Sequence, residues 1–178
     1  TPDAPVGAAD DEAAVRAVVT GDGTDGPAGG PASVLTFEHE HQDSALLERL
    51  QAEGVSVQPT PQALTLARDK LAMRRMMSEA GLPQPAWDEI GGQPAILEGF
   101  APFTRELSVV AARALDGTVL PFPLAENVHR GGILRESTGP AEAGDAIREQ
   151  AISIAERIGA GLNHVGVFAV ELFDMGED

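Results

Sequence analysis

Short apolar runs of β-strand type recur through the second half of the chain and decide its fold class. Such runs, bounded by Gly, Pro or Asp, are typical of strands, and Asp116-Gly117 between two of them predicts a hairpin. Apolar residues at helical spacing predict one long helix over 142–158, ended by Gly159 and Gly161. We assign strands to 95–98, 107–114, 119–124 and 165–173.

The first half predicts a strand at 34–37, a helix at 44–53 and a strand at 55–57, an order typical of a parallel α/β unit. A short helix is predicted before it at 11–20. After it, apolar positions over 61–80 indicate a single helix with one polar side.

Acidic residues accompany these runs. Glu98 follows PAIL, Glu106 precedes LSVVAAR, and Glu126 follows LPFPL, with His129 nearby. Carboxylates on successive strands of one sheet suit a site for a nucleotide and a divalent metal. Glu106 and His129 are candidates for ribose or phosphate contacts, and backbone groups beyond Glu98 for an adenine edge. Taken singly, each of these residues is better explained as a surface or strand-edge residue, and only their repeated position at strand ends makes a joint site an equal alternative.

Glu171 lies inside the apolar run VGVFAVELF. A carboxylate buried there is costly without a cation, which suggests a magnesium ligand. A solvent-facing position on a one-sided strand is the alternative that alternation leaves open.

Two further segments carry candidate residues. Glu38 follows the first strand within VLTFEHEH, where a carboxylate can bind a hydroxylated substrate, and the two histidines allow a metal site. Lys70 is the only lysine and could reach a nucleotide phosphate, although a surface salt bridge explains it as well.

The acidic balance argues against nucleic acid as a partner. Acidic residues outnumber basic ones 28 to 12, for a formal charge of −16, whereas phosphate backbones need clustered Lys and Arg. No run approaches the ~20 apolar residues of a membrane span. There is no cysteine and no basic leader, so we expect a cytoplasmic protein without membrane contact.

VLTFEHEH, PTPQAL, ILEGFAPFTRELSVVAAR, PLAENVHRGGILR and VGVFAVELF, in this order, resemble the 5-(carboxyamino)imidazole ribonucleotide synthases. These are ATP-grasp carbon–nitrogen ligases of purine biosynthesis. RELSVVAAR and AVELF resemble ATP-grasp ligases widely, while TFEHEH and ENVHRGGILR are more specific. The resemblance extends from about residue 34 to 173.

The resemblance implies a role for each candidate. Glu38 would bind 5-aminoimidazole ribonucleotide, and Glu171 would be the first of two magnesium carboxylates. The residues that it assigns to ATP are Lys70, Glu98, Gly99, Phe100, Ala101, Glu106 and His129. The implied reaction joins bicarbonate to the ribonucleotide amine while ATP is split to ADP and phosphate, with ATP and Mg²⁺ required and a homodimer as the assembly.

The implied fold is α/β: an N-terminal open parallel-sheet domain over 1–60, a helical connection over 61–90, and an incomplete ATP-grasp α+β domain over 91–178. The resemblance also predicts that segments are missing before residue 1, at Ile90-Gly91 and after 178. They include a phosphate-binding lysine, a Gly-rich loop and a second magnesium carboxylate. The alternatives are an ATP-grasp enzyme of the formate-dependent glycinamide ribonucleotide transformylase or biotin carboxylase type, or a catalytically silent acidic binding domain.

Overall fold

The computed structural model describes residues 11–20, 33–37, 41–91 and 95–176. Their contacts divide the chain into two compact units, Thr1–Arg68 and Asp69–Asp178. Within the described residues no helix has the length and apolar character needed to cross a membrane. The domain boundaries expected at residues 60 and 90 stay predictions.

The described residues of the first unit form three helices, α1 (Glu12–Thr20), α2 (Ser44–Ala52) and α3 (Pro61–Arg68). Helix α2 begins where the Asp43 side chain accepts from the backbone N–H groups of Ala45 and Leu46, which have no partner inside the helix. Its apolar side forms a small core, which comprises Leu46, Leu47, Leu50, Val57 and Leu64.

The two strands predicted for this unit are reduced to one parallel bridge between Leu35 and Val57. The parallel orientation agrees with the predicted strand–helix–strand unit. The full strand predicted at 34–37 is wrong, however, because only Leu35 is bridged, and the segment is not buried: Val34 is 49% exposed and Leu35 is half-buried. A bridge to a single partner residue cannot cover both sides of a strand.

The single helix predicted over 61–80 is two helices, α3 and α4 (Lys70–Glu79). Asp69 between them has an extended backbone (φ −106°, ψ 99°), and its side chain accepts from the Ala72 N–H. The aspartate thus caps a new helix, because Asp favours an N-cap over a helix interior. The apolar spacing on either side concealed this break.

The second unit holds two antiparallel sheets. Strands β1 (Trp87–Glu89) and β2 (Ile96–Glu98) form a two-stranded sheet. The five-stranded sheet comprises β3 (Arg105–Arg113), β4 (Val119–Pro121), β5 (Ala125–Arg130), β6 (Ile133–Thr138) and β7 (Gly166–Asp174). Strand β3 is central: β7 pairs along one edge, β4 and β5 share the other, and β6 pairs with β5.

Helix α5 (Asp145–Gly161) covers one face of this sheet. On β3 the side chains that alternate toward the helix are buried, as is Val170 on β7. The core on this face comprises Leu107, Val109, Ala111, Leu124, Ala141, Ala143, Ala151, Ile154, Ala155 and Val170, with Leu82 from the turn after α4. The other face of β3 and β7 is left open, and this asymmetry positions the candidate site.

Sequence periodicity predicted β2, β3, β7 and α5 and the hairpin at Gly117, whose φ of 89° suits glycine. It missed β1, β5 and β6. Glu126, expected to end a strand, is instead the second residue of β5. The antiparallel sheets of the second unit agree with the α+β organisation that the resemblance implies for 91–178.

Candidate functional site

Glu106, His129 and Glu171 lie on the open face of the five-stranded sheet. Two other acids expected on one sheet with them do not: Glu126 pairs with the buried Leu107 on the α5 face, and Glu98 belongs to the two-stranded sheet. Residues paired directly across antiparallel strands point to the same side. Glu106 pairs with Asn127 on β5 and with Phe173 on β7, while Ser108 pairs with Glu171. Leu107, which lies between Glu106 and Ser108 on β3, is buried in the core beneath α5. The side chains of Glu106 and Ser108, with their cross-strand partners, therefore lie on the face of the sheet away from α5.

Glu106 and His129 are in direct contact, carboxylate Oε2 against imidazole Nδ1, and they form an ion pair whenever the imidazole is protonated. Both side chains are about three-quarters buried, at 23% and 28% exposure. Strand β5 changes its register against β6 between Val128 and His129, and such an irregularity re-aims the next side chain.

Asn127 is the cross-strand neighbour of Glu106 on β5. It is 7% exposed, and its Oδ1 accepts a hydrogen bond of 2.7 Å from the Ser137 hydroxyl on β6. A buried amide with a bonded oxygen is held in one orientation. The polar group around Glu106 is therefore built from three adjacent strands.

Glu171 lies on the same face but is exposed. The expectation of a buried carboxylate is wrong, because β7 has only one face against α5 and alternation places Glu171 on the other. Diagonal neighbours on such a face are roughly 7–8 Å apart, so Glu106 and Glu171 lie within reach of one small ligand. Glu171 is therefore accessible to a ligand on this face.

These residues supply only part of the ligands that a metal ion needs. Within the described ranges no three His, Asp or Glu side chains are grouped so as to hold one. Magnesium, however, commonly takes one or two carboxylates together with phosphate oxygens. An accessible Glu171 beside the hydroxyl of Ser108 fits one such carboxylate, and the remaining ligands would come from a phosphate and from water.

A linker, residues 99–104, joins β2 to β3 and returns to this face. Phe103 stacks on Phe173 with ring centroids 4.4 Å apart and an interplanar angle of 5°. Phe100 is 91% exposed. Gly99 approaches the backbone of Ala86 so closely that a Cβ would lie 3.3 Å from that carbonyl oxygen, which favours glycine.

Glu98, at the start of the linker, is paired with two cations of helix α4. Its Oε1 accepts from Arg74 Nε at 2.7 Å and also contacts Nη2, and its Oε2 accepts from Lys70 Nζ at 3.3 Å. The guanidinium of Arg74, followed by Lys70, lowers the pKa of the Glu98 carboxyl. Lys70 therefore forms a surface salt bridge, which was the alternative to a phosphate contact.

An open cavity of about 1260 Å³ lies between the linker, α4 and α5. Residues Gly99, Phe100 and Ala101 of the linker line one side of it, and Glu171 on β7 also borders it. The pair of Glu106 and His129 does not. The candidate site is therefore the open face with its linker, and the cavity adjoins that site along the linker and β7.

Arg105 fixes the end of the sheet at which these groups lie. Its Nε donates to Asp174 at 2.8 Å, and its Nη1 donates to the Glu142 carbonyl at 2.8 Å and reaches Glu126 at 3.3 Å. The hydrogen bond from Arg105, followed by that from the Gly176 N–H, lowers the pKa of the Asp174 carboxyl. One guanidinium thus ties β3 to β5 and β7.

The structure therefore brings together Glu106, His129 and Glu171 on one face, with Gly99–Ala101 in the adjoining linker. Lys70 contacts Glu98 at the start of the linker, where β2 ends. Glu38 lies outside the described residues. The sequence interpretation missed Arg74, although its position four residues after Lys70 places both cations on one side of a helix.

Comparisons with known proteins give the family and the fold. The family model described as the ATP-grasp domain matches residues 63–178. The N5-carboxyaminoimidazole ribonucleotide synthase of Mycobacterium leprae is 30% identical over 234 positions, which cover 99% of this chain and 51% of the relative. A Brucella melitensis protein of the same name is 32% identical over 79% of this chain and 52% of its own length.

A crystal structure of N5-carboxyaminoimidazole ribonucleotide synthetase from Thermus thermophilus superposes with a TM-score of 0.84 at 29% identity, covering 96% of this chain and 56% of that one. An Aspergillus clavatus synthase in complex with ADP and 5-aminoimidazole ribonucleotide gives 0.80 at 23% identity, over 94% and 53%, which supports the fold alone. This chain spans about half the length of the curated relatives that it matches.

The alignment with the Mycobacterium leprae protein also has internal gaps. It extends over 234 positions, whereas 99% of 178 residues is only about 176. About 58 positions of the alignment thus have no residue in this chain. This agrees with a segment present in the relatives and absent here, and the predicted place of that segment, Ile90-Gly91, stays a prediction.

Proposed function

Because the chain belongs to the ATP-grasp family, as the match over residues 63–178 shows, we propose that it is part of a 5-(carboxyamino)imidazole ribonucleotide synthase. The proposed reaction is the ATP-dependent carboxylation of 5-aminoimidazole ribonucleotide with bicarbonate, giving ADP and phosphate, in purine biosynthesis. The relatives that bear this name supply the identity of the substrate.

The observation that carries the proposal is the contact between Glu106 and His129 on the face that also bears Glu171. A carboxylate and an imidazole suit the hydroxyl and phosphate oxygens of a nucleotide. Glu171, some 7–8 Å from Glu106 by the spacing of diagonal neighbours, would hold magnesium on the phosphates. The face thus offers polar contacts for each part of a nucleotide beyond the base.

The linker would supply the base contact. Backbone groups of Gly99, Phe100 and Ala101 would bind the adenine edge, with Glu98 at their start. The side chain of Lys70 is 67% exposed, and its Nζ makes one long hydrogen bond of 3.3 Å to Glu98 Oε2. A cation in that position can exchange its carboxylate partner for a phosphate at little cost.

Magnesium would neutralise charge on the phosphates during phosphoryl transfer. The residues of this chain would position the nucleotide: Glu106 and His129 at the ribose, and Glu171 at the metal. Stabilisation by position and charge is the main contribution that proteins make to this chemistry. No protein nucleophile is required, which agrees with a chain that has no cysteine.

Glu38 would bind 5-aminoimidazole ribonucleotide, a role that rests on the resemblance of VLTFEHEH. Bicarbonate as the second substrate, the homodimer and the cytoplasmic location stay predictions. None of the observations favours a biotin-dependent or formate-dependent enzyme or a silent binding domain, and the relatives described above bear the name of the synthase.

The test is ATP turnover by the product of the complete reading frame in which these residues occur. ADP release should require both 5-aminoimidazole ribonucleotide and bicarbonate, and Glu106→Gln should reduce it by at least about tenfold because a charged ribose contact is lost. Turnover that depends on biotin or formate would support another ATP-grasp enzyme. No binding of ADP with magnesium in calorimetry would refute the nucleotide site altogether.

A further inference from the structure

The two cations that share Glu98 are not equivalent. Arg74 presents two nitrogens to Oε1, one at 2.7 Å, and its side chain is 17% exposed. Lys70 presents one nitrogen to Oε2 at 3.3 Å and is 67% exposed. A planar guanidinium with two contacts in a half-buried place holds a carboxylate far more firmly than an exposed ammonium does.

Arg74 is also fixed by its surroundings. Its backbone carbonyl accepts from Gln84 Nε2 at 3.2 Å, and its Nη1 lies 3.6 Å from the Met77 sulfur. The segment around Gln84 in turn passes beside the linker, where the Gly99 N–H donates to the Ala86 carbonyl. Arg74 thus connects helix α4 to the end of β2, through Glu98, and to the segment before β1, through Gln84.

We propose that Arg74 is a positioning residue for nucleotide binding: it holds Glu98 and the linker start in place and so leaves Lys70 available for a phosphate. This inference rests on the proposed function. If Arg74 is removed, Glu98 has only Lys70 as partner, and two losses should follow. The linker should distinguish bases less well, and Lys70 should be drawn to Glu98 and away from the ligand.

Arg74→Met, Arg74→Lys and Lys70→Met test this, with Arg75→Met as matched control. Arg75 is the next residue of α4 and pairs with the exposed Glu89 instead of Glu98. The only tryptophan, Trp87, is the cross-strand partner of Glu98, so its fluorescence should report ligand binding in this chain. The ligands are ADP, GDP and adenosine, each with magnesium.

We expect Arg74→Met to lower the preference for ADP over GDP, and for ADP over adenosine, by about tenfold each, equal to about 1.4 kcal/mol. Arg74→Lys should restore part of both. Lys70→Met should lower only the preference for ADP over adenosine, and Arg75→Met neither. If Arg74→Met lowers thermal stability but leaves both preferences unchanged, Arg74 has a merely structural role and the inference is refuted.

A ligand-free measurement separates this inference from the proposed function. Carboxyl-carbon NMR should show that the pKa of Glu98 rises toward its ordinary value of 4.5 more in Arg74→Met than in Lys70→Met. An equal or larger rise in Lys70→Met would overturn the inference even if ADP binds. If wild-type ADP binding is absent, the proposed function fails and the nucleotide role of Arg74 fails with it.

Discussion

Glu171 occupies an exposed position on β7 beside Ser108, and this placement determines what its substitution should do. Glu171→Gln keeps the size and removes the charge, so the fold should be unaffected while the magnesium-dependent part of ADP affinity falls by about tenfold, or about 1.4 kcal/mol. Calorimetry with and without magnesium measures that part. Glu136→Gln, which neutralises another exposed carboxylate of the same sheet, should not change it. Equal magnesium dependence in both variants would remove Glu171 from the site.

His164 is a second residue with a measurable consequence. It is 6% exposed, and its Nε2 lies 3.1 Å from the Val167 carbonyl. Burial, followed by the charge of Arg113, lowers the pKa of His164, while the Val167 carbonyl opposes this. The unfolded chain therefore binds a proton more readily than the folded one, at an ordinary value of 6.5.

The contribution of the neutral His164 side chain to the free energy of unfolding should be fully present above about pH 6.5. It should be lost as the pH falls from there toward the lowered pKa of the folded state. His164→Gln retains an N–H donor for Val167 but cannot be protonated, so the free energy of unfolding should decline less below pH 6.5. Urea unfolding at pH 5 to 8 tests this. Parallel declines in wild type and variant would show that His164 makes no contribution.

At the scale of elements, the packing of α5 on β7 depends on Gly159. A Cβ at this position would lie 3.0 Å from Phe168 Cζ and 3.4 Å from Arg113 Cδ. Helix propensity favours Val over Gly by only a few tenths of a kcal/mol. Gly159→Val should therefore destabilise the chain by about 1–3 kcal/mol through overpacking.

Ala160→Val is the matched control for that substitution, since Ala160 is the next residue of α5 and is exposed. It should cost less than about 0.7 kcal/mol, the range of helix propensity. Urea unfolding of both variants gives the difference. If Ala160→Val is as destabilising as Gly159→Val, the close contact with Phe168 is not what requires glycine.

Periodicity predicted the elements that bury one full side. Strand β3 and helix α5 each have a row of buried apolar residues, and on β7 the buried Val170 lies between the half-buried Phe168 and Leu172. Such rows of apolar residues can be identified from the sequence. Strand β6 is exposed along all six residues, so it has no such row. Its partner β5 is the preceding strand, and Gly131 and Gly132 form the two-residue hairpin loop between them, with φ of 62° and 75°. Gly-Gly between two strands is a local hairpin signal that the sequence interpretation missed.

The candidate site was predictable to the same degree. Glu106, His129 and Glu171 could be named from sequence, but the open face of β7 could not, because Val167, Ala169 and Phe173 on that face make the strand an almost continuous apolar run. The contact of His129 with Glu106 depends on the register change in β5, and the pairing of Arg74 with Glu98 depends on α4 approaching β2. Both are tertiary contacts without a local signal.

At the scale of the whole molecule, every described residue with a proposed nucleotide role lies in the second unit, Asp69–Asp178. The core of the first unit, around α2, shares no residue with the proposed site. A ligand slows amide exchange where it stabilises the folded state locally. ADP with magnesium should therefore protect the linker 99–104 and strands β3 and β7 and leave α2 unchanged.

Hydrogen exchange read by mass spectrometry at the level of peptides measures this in the intact chain. Protection should be weaker in Arg74→Met, because the linker is no longer held, and should be retained in Arg75→Met. Protection confined to α2, with the linker unaffected, would place the nucleotide away from the open face of the sheet. Since the formal charge of −16 repels an uncomplexed nucleotide, omitting magnesium should also reduce protection of the linker and of β7, where Glu171 meets the ion.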